Sequence, residues 1–195
     1  MGEQAITLVK QESNKYNNKL TNFQCYVFYF FIFSFIGWAM ETIYSYIVLG
    51  HFTNRGFFYG PICPIYGCGG LILIMFLSKY NNNPIKLFIY ATLIFSVFEY
   101  FISYELDALY NLWLWDYTNE FFNINGRICL FYSAAWGMVA LIFTYVLFPL
   151  IKKFLTLICN KIPTFIQILF IRFFSMIFIA DIIYSFIEYS HITIL

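Results

Sequence analysis

The sequence predicts an all-α fold: a polytopic membrane helix bundle of about five transmembrane helices in a cell membrane, N-terminus inside and C-terminus outside. Three observations carry that expectation. Of the 195 residues, 62% are hydrophobic and only 11% are charged, and the mean hydropathy is +0.73, far from the range of water-soluble domains. Apolar runs of about span length recur at 23–49, 61–78, 85–106, 128–150 and 164–190. They lack the two-residue alternation of barrel strands, so they read as helices, the other structure that satisfies its backbone in lipid. With the N-terminus inside, all eight Lys residues (10, 15, 19, 79, 86, 152, 153 and 161) fall on the inner side, whereas Arg55 and Arg127 fall outside, the asymmetry that orients membrane proteins.

Residues 1–22 are polar and rich in Lys and Asn, and form a cytoplasmic N-terminal segment ahead of a single membrane domain, 23–195. The run that follows is too long for a signal-peptide core. On the first span, Ser34, Gly37, Trp38, Glu41 and Ser45 make a stripe that lets another helix approach closely. The second span is entered through "TNRGFFYGPICPIYG" (53–67), in which Gly56 and Gly60 allow tight bends. Pro61 suits a first helical turn, and Pro64 makes the helix start irregular. Irregular backbone at membrane depth is tolerated only where it is buried in protein or lines a cavity.

The third span contains Glu99. The connection 107–127 that follows carries Trp113, Trp115, Asp116 and Glu120, and its aromatic residues suit a membrane interface. The fourth span has a small-residue stripe of Ser133, Gly137, Ala140 and Thr144. After it, "IKKFLTLICNKIP" (151–163) reads as an internal segment resting on the membrane surface. On the fifth span, Arg172 snorkels towards the inside and Asp181 lies in the outer half.

The candidate site comes from the acids. Glu41-Thr-Ile-Tyr-Ser45-Tyr46, Glu99-Tyr-Phe-Ile-Ser103-Tyr104 and Asp181-Ile-Ile-Tyr-Ser185-Phe186 all read acid, three residues, Ser, aromatic. In a helix, positions i and i+4 share a face, so each copy sets a carboxyl beside a hydroxyl. All three helices run from inside to outside, which places the acids at similar depth. "NRGFFYGPIC" (54–63) and "NGRICLFYS" (125–133) repeat Asn, Gly and Arg before Ile-Cys at the outer ends of the returning helices.

A charge at the bilayer centre costs about 2.5–3.5 kcal/mol on insertion scales, so three unpaired carboxylates would cost on the order of 8 kcal/mol. Protonation, pairing with Arg55 and Arg127, a solvated cavity or a bound cation would each offset this. Glu41, Asn54, Arg55, Glu99, Arg127 and Asp181 are therefore the candidate substrate- or ion-binding residues, near the outer face. Gly56, Gly60, Pro61, Pro64, Gly67, Trp115 and Asp116 are the structural residues around them.

Other chemistries find little support. Net charge is +1 with no dense basic patch, which argues against nucleic acid. The five Cys and two His residues give no zinc spacing or disulfide framework, so no metal is expected. No HExxH or GxSxG arrangement is present, so the chain is not expected to be an enzyme, and no cofactor is expected.

The series "SFIGWAMETIY", "NRGFFYGPICPIYG", "FEYFISYELD", "WLWDY" and "NINGRICLFYSAAWG" resembles the bacterial membrane proteins grouped as putative ABC-transporter type IV, or ABC-permease-like, proteins. The resemblance covers about residues 30–150. It implies that Glu41, Asn54, Arg55, Gly56, Gly60, Pro61, Cys63, Pro64, Tyr66, Gly67, Glu99, Glu105, Trp115, Asp116, Tyr117, Gly126, Arg127 and Cys129 match the family's pattern. It also implies a transporter permease served by a separate ATPase subunit, because this chain has no GxxxxGK[ST] phosphate loop. Beyond the lipid bilayer, an oligomer is a further candidate partner, since five short helices enclose little space. Two functions stay open: a transport component binding a solute or ion between the acids and the arginines, and a structural or regulatory membrane scaffold whose Arg/acid pairs serve folding alone.

Overall fold

The computed structural model describes residues 22–52 and 57–192, among which every named element is a helix. The N-terminal segment up to residue 21, and Asn54, Arg55 and Gly56, lie outside the described residues. In order come α1 (Asn22–Leu49), α2 (Pro64–Ile72), α3 (Pro84–Tyr110), α4 (Leu130–Ile142), α5 (Phe148–Cys159) and α6 (Thr164–Ile192). α2 runs on through a π-helical turn, Leu73–Leu77, and a 3₁₀ turn, Ser78–Tyr80. A second π-helical turn, Phe143–Leu147, joins α4 to α5.

Among the described residues, four helices are long and apolar enough to cross a membrane: Phe23–Leu49, Pro84–Tyr110, Leu130–Cys159 and Thr164–Tyr189. Their outward faces are apolar, with Ile43, Ile47, Leu93, Val97, Phe101, Phe131, Phe173 and Ile177 all exposed. Water would not tolerate so continuous a surface, and lipid does.

The second expected span is the short one. Pro64–Tyr80 rises about 25 Å, under the roughly 30 Å of a hydrocarbon core. Its helix starts three residues later than expected, because Pro64, not Pro61, takes a first-turn position. A proline holds the residue before it away from helical geometry, and Cys63 is extended at φ −118°, ψ 90°. Pro61 stays exposed in the approach.

The fourth span is longer than expected. Its helix does not stop at 150 but reaches Cys159, 30 residues in all, so most of the segment expected to rest on the membrane surface is helix α5. At about 45 Å it exceeds the hydrocarbon thickness and carries Lys152 and Lys153 towards one end. The π turn lies just ahead of Pro149, where a regular helix would want an N–H that proline lacks.

α1 with α2, and α3 with α4, form two closely packed antiparallel hairpins built on the same register. In the first, Gly67 faces Ser34 and Gly70 faces Phe33; a Cβ on Gly67 would stand 2.2 Å from Ser34 Oγ. In the second, Gly137 faces Phe88 and Thr92, and a Cβ there would stand 2.2 Å from Thr92 Oγ1. Ser34 lies seven residues before Glu41 and Thr92 seven before Glu99; Gly67 follows Tyr66 and Gly137 follows Trp136. The π turn begins six residues after each glycine, at Leu73 and at Phe143. The repeat visible as an acid and a Ser is thus one part of a repeated hairpin, both copies running in the same direction.

The hairpins meet at the end where Lys79, Lys86 and Lys152 gather. Phe33, Leu73, Leu77, Leu87, Phe95 and Phe143 form the buried core there, and the Phe33 and Phe143 rings stand edge to face at 4.9 Å. Tyr145 donates its hydroxyl to Asn81 O at 2.8 Å across the same end. Towards the other end the hairpins separate and leave a cavity. α6 packs alongside through rings, Phe28 with Phe170 at 6.4 Å and Phe31 with Phe178 at 5.8 Å, and reaches Phe57 through Phe186 at 5.2 Å.

Candidate functional site

Three polar groupings hold the buried charge, and they divide the sequence candidates between them. The first joins Glu41 and Glu99. The Tyr66 hydroxyl, on α2, donates to Glu41 Oε1. In the second hairpin Trp136, at the matching position on α4, donates its Nε1–H to Glu99 Oε2 at 2.9 Å. Glu99, only 3% exposed, also accepts from the Tyr117 hydroxyl at 3.2 Å on Oε1. Burial, and then the neighbouring Glu99 carboxylate, raises the pKa of the Tyr117 phenol, which therefore keeps its proton and stays a donor.

The Tyr66 and Trp136 rings stand 5.7 Å apart, so the two acids flank one aromatic pair at the seam of the hairpins. Around them lies a cavity of about 970 Å³ lined by Glu41, Glu99, Glu105, Tyr44, Tyr66, Trp115, Tyr117 and Trp136, among others. It reaches the surface at Glu105 and Leu109, which are exposed.

Asp181 forms the second grouping. It accepts from the backbone N–H groups of Tyr59 and Gly60, both at 3.0 Å, one on each carboxylate oxygen. The Ser185 hydroxyl stands 3.4 Å from Oδ1, as the acid-to-Ser spacing leads one to expect. A Cβ on Gly60 would stand 3.0 Å from Asp181 Oδ2, so the glycine lets the carboxylate close on the backbone. Past Pro61, Ile62 N–H turns back to Gly60 O at 2.7 Å, and Cys63 N–H reaches Ser34 O at 3.0 Å near the middle of α1. The segment therefore dips to membrane depth, with the amides of Tyr59 and Gly60 satisfied by α6 and that of Cys63 by α1.

Arg127 forms the third. It lies at the start of α4 but turns away from the cavity, with Nη2 2.5 Å from Asp107 Oδ2. Its Nη1 donates to Ser103 O at 2.9 Å and to Ser103 Oγ at 3.2 Å. The Trp113 ring lies 4.8 Å from the guanidinium carbon. Sequence reading puts Arg127 opposite Glu41, Glu99 and Asp181, but its acid is Asp107, one turn beyond Ser103 on α3. A guanidinium with five donors is better satisfied by a carboxylate, a carbonyl and a hydroxyl on one helix than by acids already holding other donors.

The connection that carries Arg127 is itself ordered. Asn111 ends α3 in the left-handed region at φ 49°, and Trp113 Nε1–H donates to Asp107 Oδ1 at 2.8 Å. Trp115 Nε1–H donates to Arg127 O at 2.9 Å, and Asp116 Oδ1 accepts from Thr118 N–H at 2.9 Å. Gly126, at φ +67°, bends the chain against Thr118 and Asp116. Tyr117, brought back by its N–H bond to Gly126 O at 2.8 Å, is thereby held over Glu99.

The structure thus brings Glu41 and Glu99 to one cavity, gives Asp181 and Arg127 separate structural partners, and leaves Asn54 and Arg55 undescribed. Tyr66, Tyr117 and Trp136 are the donors that spacing did not single out for this role; the matched aromatic-Gly pairs Tyr66-Gly67 and Trp136-Gly137 were the available signal. Among the described residues no group of three His, Cys, Asp or Glu is arranged to hold a metal ion.

No curated protein and no solved structure matches the chain. A family match covers residues 28–186, from α1 through both hairpins and the connection between α3 and α4 to Phe186 of α6. With that match over most of its length and an architecture of apolar spanning helices, this multi-pass membrane protein belongs to the family described as putative ABC-transporter type IV.

Proposed function

We propose that the chain is a permease-like, solute-binding membrane component of a transport system, lying in a cell membrane with its N-terminus inside and C-terminus outside. The observation that carries this reading is the cavity between the hairpins, into which two equivalent positions of a repeated unit present Glu41 and Glu99. Binding sites between internal repeats are a recurrent transporter design, and ionisable groups in spans mark solute or ion paths. In this reading Asp181 and Arg127 hold the walls, while Asn54 and Arg55 belong to the segment leading to Phe57, which lines the cavity. A separate ATPase subunit supplies the energy, and no catalytic step is assigned to this chain.

The test is purification in gentle detergent followed by reconstitution into vesicles loaded with a cell-extract metabolite mixture. An ATPase subunit should accompany the chain, and at least one solute should cross faster than in protein-free vesicles. Glu99→Gln should abolish that flux while the protein stays folded and inserted. No accompanying ATPase and no flux above the protein-free rate would return the chain to the scaffold reading.

A further inference from the structure

Resting on the solute-binding reading above, we infer that the cavity takes a hydrophobic organic cation, one ammonium-like charge on a bulky apolar body, with the charge held at Glu41. The lining carries three carboxylates, Glu41, Glu99 and Glu105, and no Lys, Arg or His among the described residues. Arg127, the nearest described cation by sequence, is occupied by Asp107 and Ser103. An anion entering this enclosure would meet like charge in a poorly solvated space, whereas a cation would meet opposite charge.

The two acids are not equal: Glu99 is buried and Glu41 half-buried. Both oxygens of Glu99 already accept, from Tyr117 and Trp136. Glu41 accepts on Oε1 from Tyr66, and Oε2 has no donor among the described residues. A half-satisfied carboxylate in an apolar enclosure is the natural place for a ligand's charge.

The rest of the wall favours an organic body over a bare metal ion. The lining is mainly apolar and aromatic and includes the rings of Tyr44, Tyr66, Trp115 and Trp136, a side-chain class that attracts cations. At about 970 Å³ the space is at the upper end of ordinary small-molecule pockets, and no three-ligand metal cluster is present among the described residues.

Tetraphenylphosphonium and tetraphenylborate have nearly the same shape and opposite charge, so the pair isolates the sign of the site. Their binding to the full chain in detergent is measured by equilibrium dialysis against protein-free micelles, and by the fluorescence of Trp115 and Trp136. The phosphonium should bind saturably, and about tenfold or more tighter than the borate. Glu41→Gln keeps an acceptor for Tyr66 and should weaken the phosphonium about tenfold without changing the borate. Ala135→Phe, which fills the lining, should weaken both ions.

Equal binding of the two ions, preference for the borate, or a phosphonium affinity unmoved by Glu41→Gln overturns the inference. Should Glu41→Gln not fold, Glu105→Gln at the exposed rim must selectively weaken the phosphonium, and failure to do so counts equally against it. Binding in detergent needs neither flux nor an ATPase. Phosphonium binding without transport would therefore leave the cation site standing while removing the transport reading, and flux of an anion without phosphonium binding would do the reverse.

Discussion

Asp181 ties α6 to the irregular backbone of 59–60, and removing it takes an acceptor from each of two amides. Charge-assisted bonds to shielded backbone contribute about 1.5–3 kcal/mol each, less at a wet end. Asp181→Ala should therefore lower the thermal midpoint in detergent by on the order of 5 °C, and speed hydrogen exchange at Tyr59 and Gly60. Asp181→Asn, which keeps one acceptor, should do about half of that; unchanged exchange in both would show that the clamp is not what holds the segment. Arg127 makes a second testable tie. If its main partner is Asp107, then Arg127→Gln and Asp107→Asn should each lower the midpoint, and the double variant should lose clearly less than the two losses added. Strict additivity there, with coupling to Glu99→Gln in its place, would restore the arrangement expected from sequence.

The hairpin is the repeated element, and its glycines set how closely the helices approach. At both Gly67 and Gly137 an added Cβ would overlap a hydroxyl oxygen at 2.2 Å and a phenylalanine ring at 2.7 Å. Gly67→Ala and Gly137→Ala should then each destabilise by about 1–3 kcal/mol, the usual cost of overpacking, and by similar amounts. A variant at Gly69, where the nearest atom would lie at 3.8 Å, should cost far less. If all three alanines melt alike, close approach is not what these positions supply. The element also shows which features were readable in the chain. Acid and Ser recur at a four-residue spacing that any reader can find, whereas Ser34 opposite Gly67 and Thr92 opposite Gly137 are contacts between segments whose register depends on the intervening turn.

Across the whole molecule, the described Lys residues gather at one end and the cavity opens towards the other, which makes orientation measurable. Native thiols are poor handles, because Cys63 and Cys129 are buried. Neither should react with a membrane-impermeant maleimide in the folded protein, since the reagent must reach the sulfur. If the N-terminus is inside, Thr118→Cys, in the connection between α3 and α4, should label in intact cells, and Lys161→Cys should label only after the membrane is opened. The opposite pattern would invert the molecule and place the cavity on the inside.

Composition and charge distribution were enough to specify a helical membrane bundle, because lipid demands internally bonded backbone and long apolar runs, and both are local properties of the chain. The acids at Glu41, Glu99 and Asp181 were legible for the same reason: a charge in an apolar run stands out wherever the helix packs. Their partners were not. Which acid Arg127 meets, that Asp181 serves backbone amides, that Pro64 starts the second helix, and that Glu41 and Glu99 share one cavity all depend on how far each helix slides and turns against its neighbour. That is fixed by contacts between residues distant in sequence, Gly67 on Ser34, Gly137 on Thr92 and Phe33 on Phe143, so it emerges only when the helices are packed together.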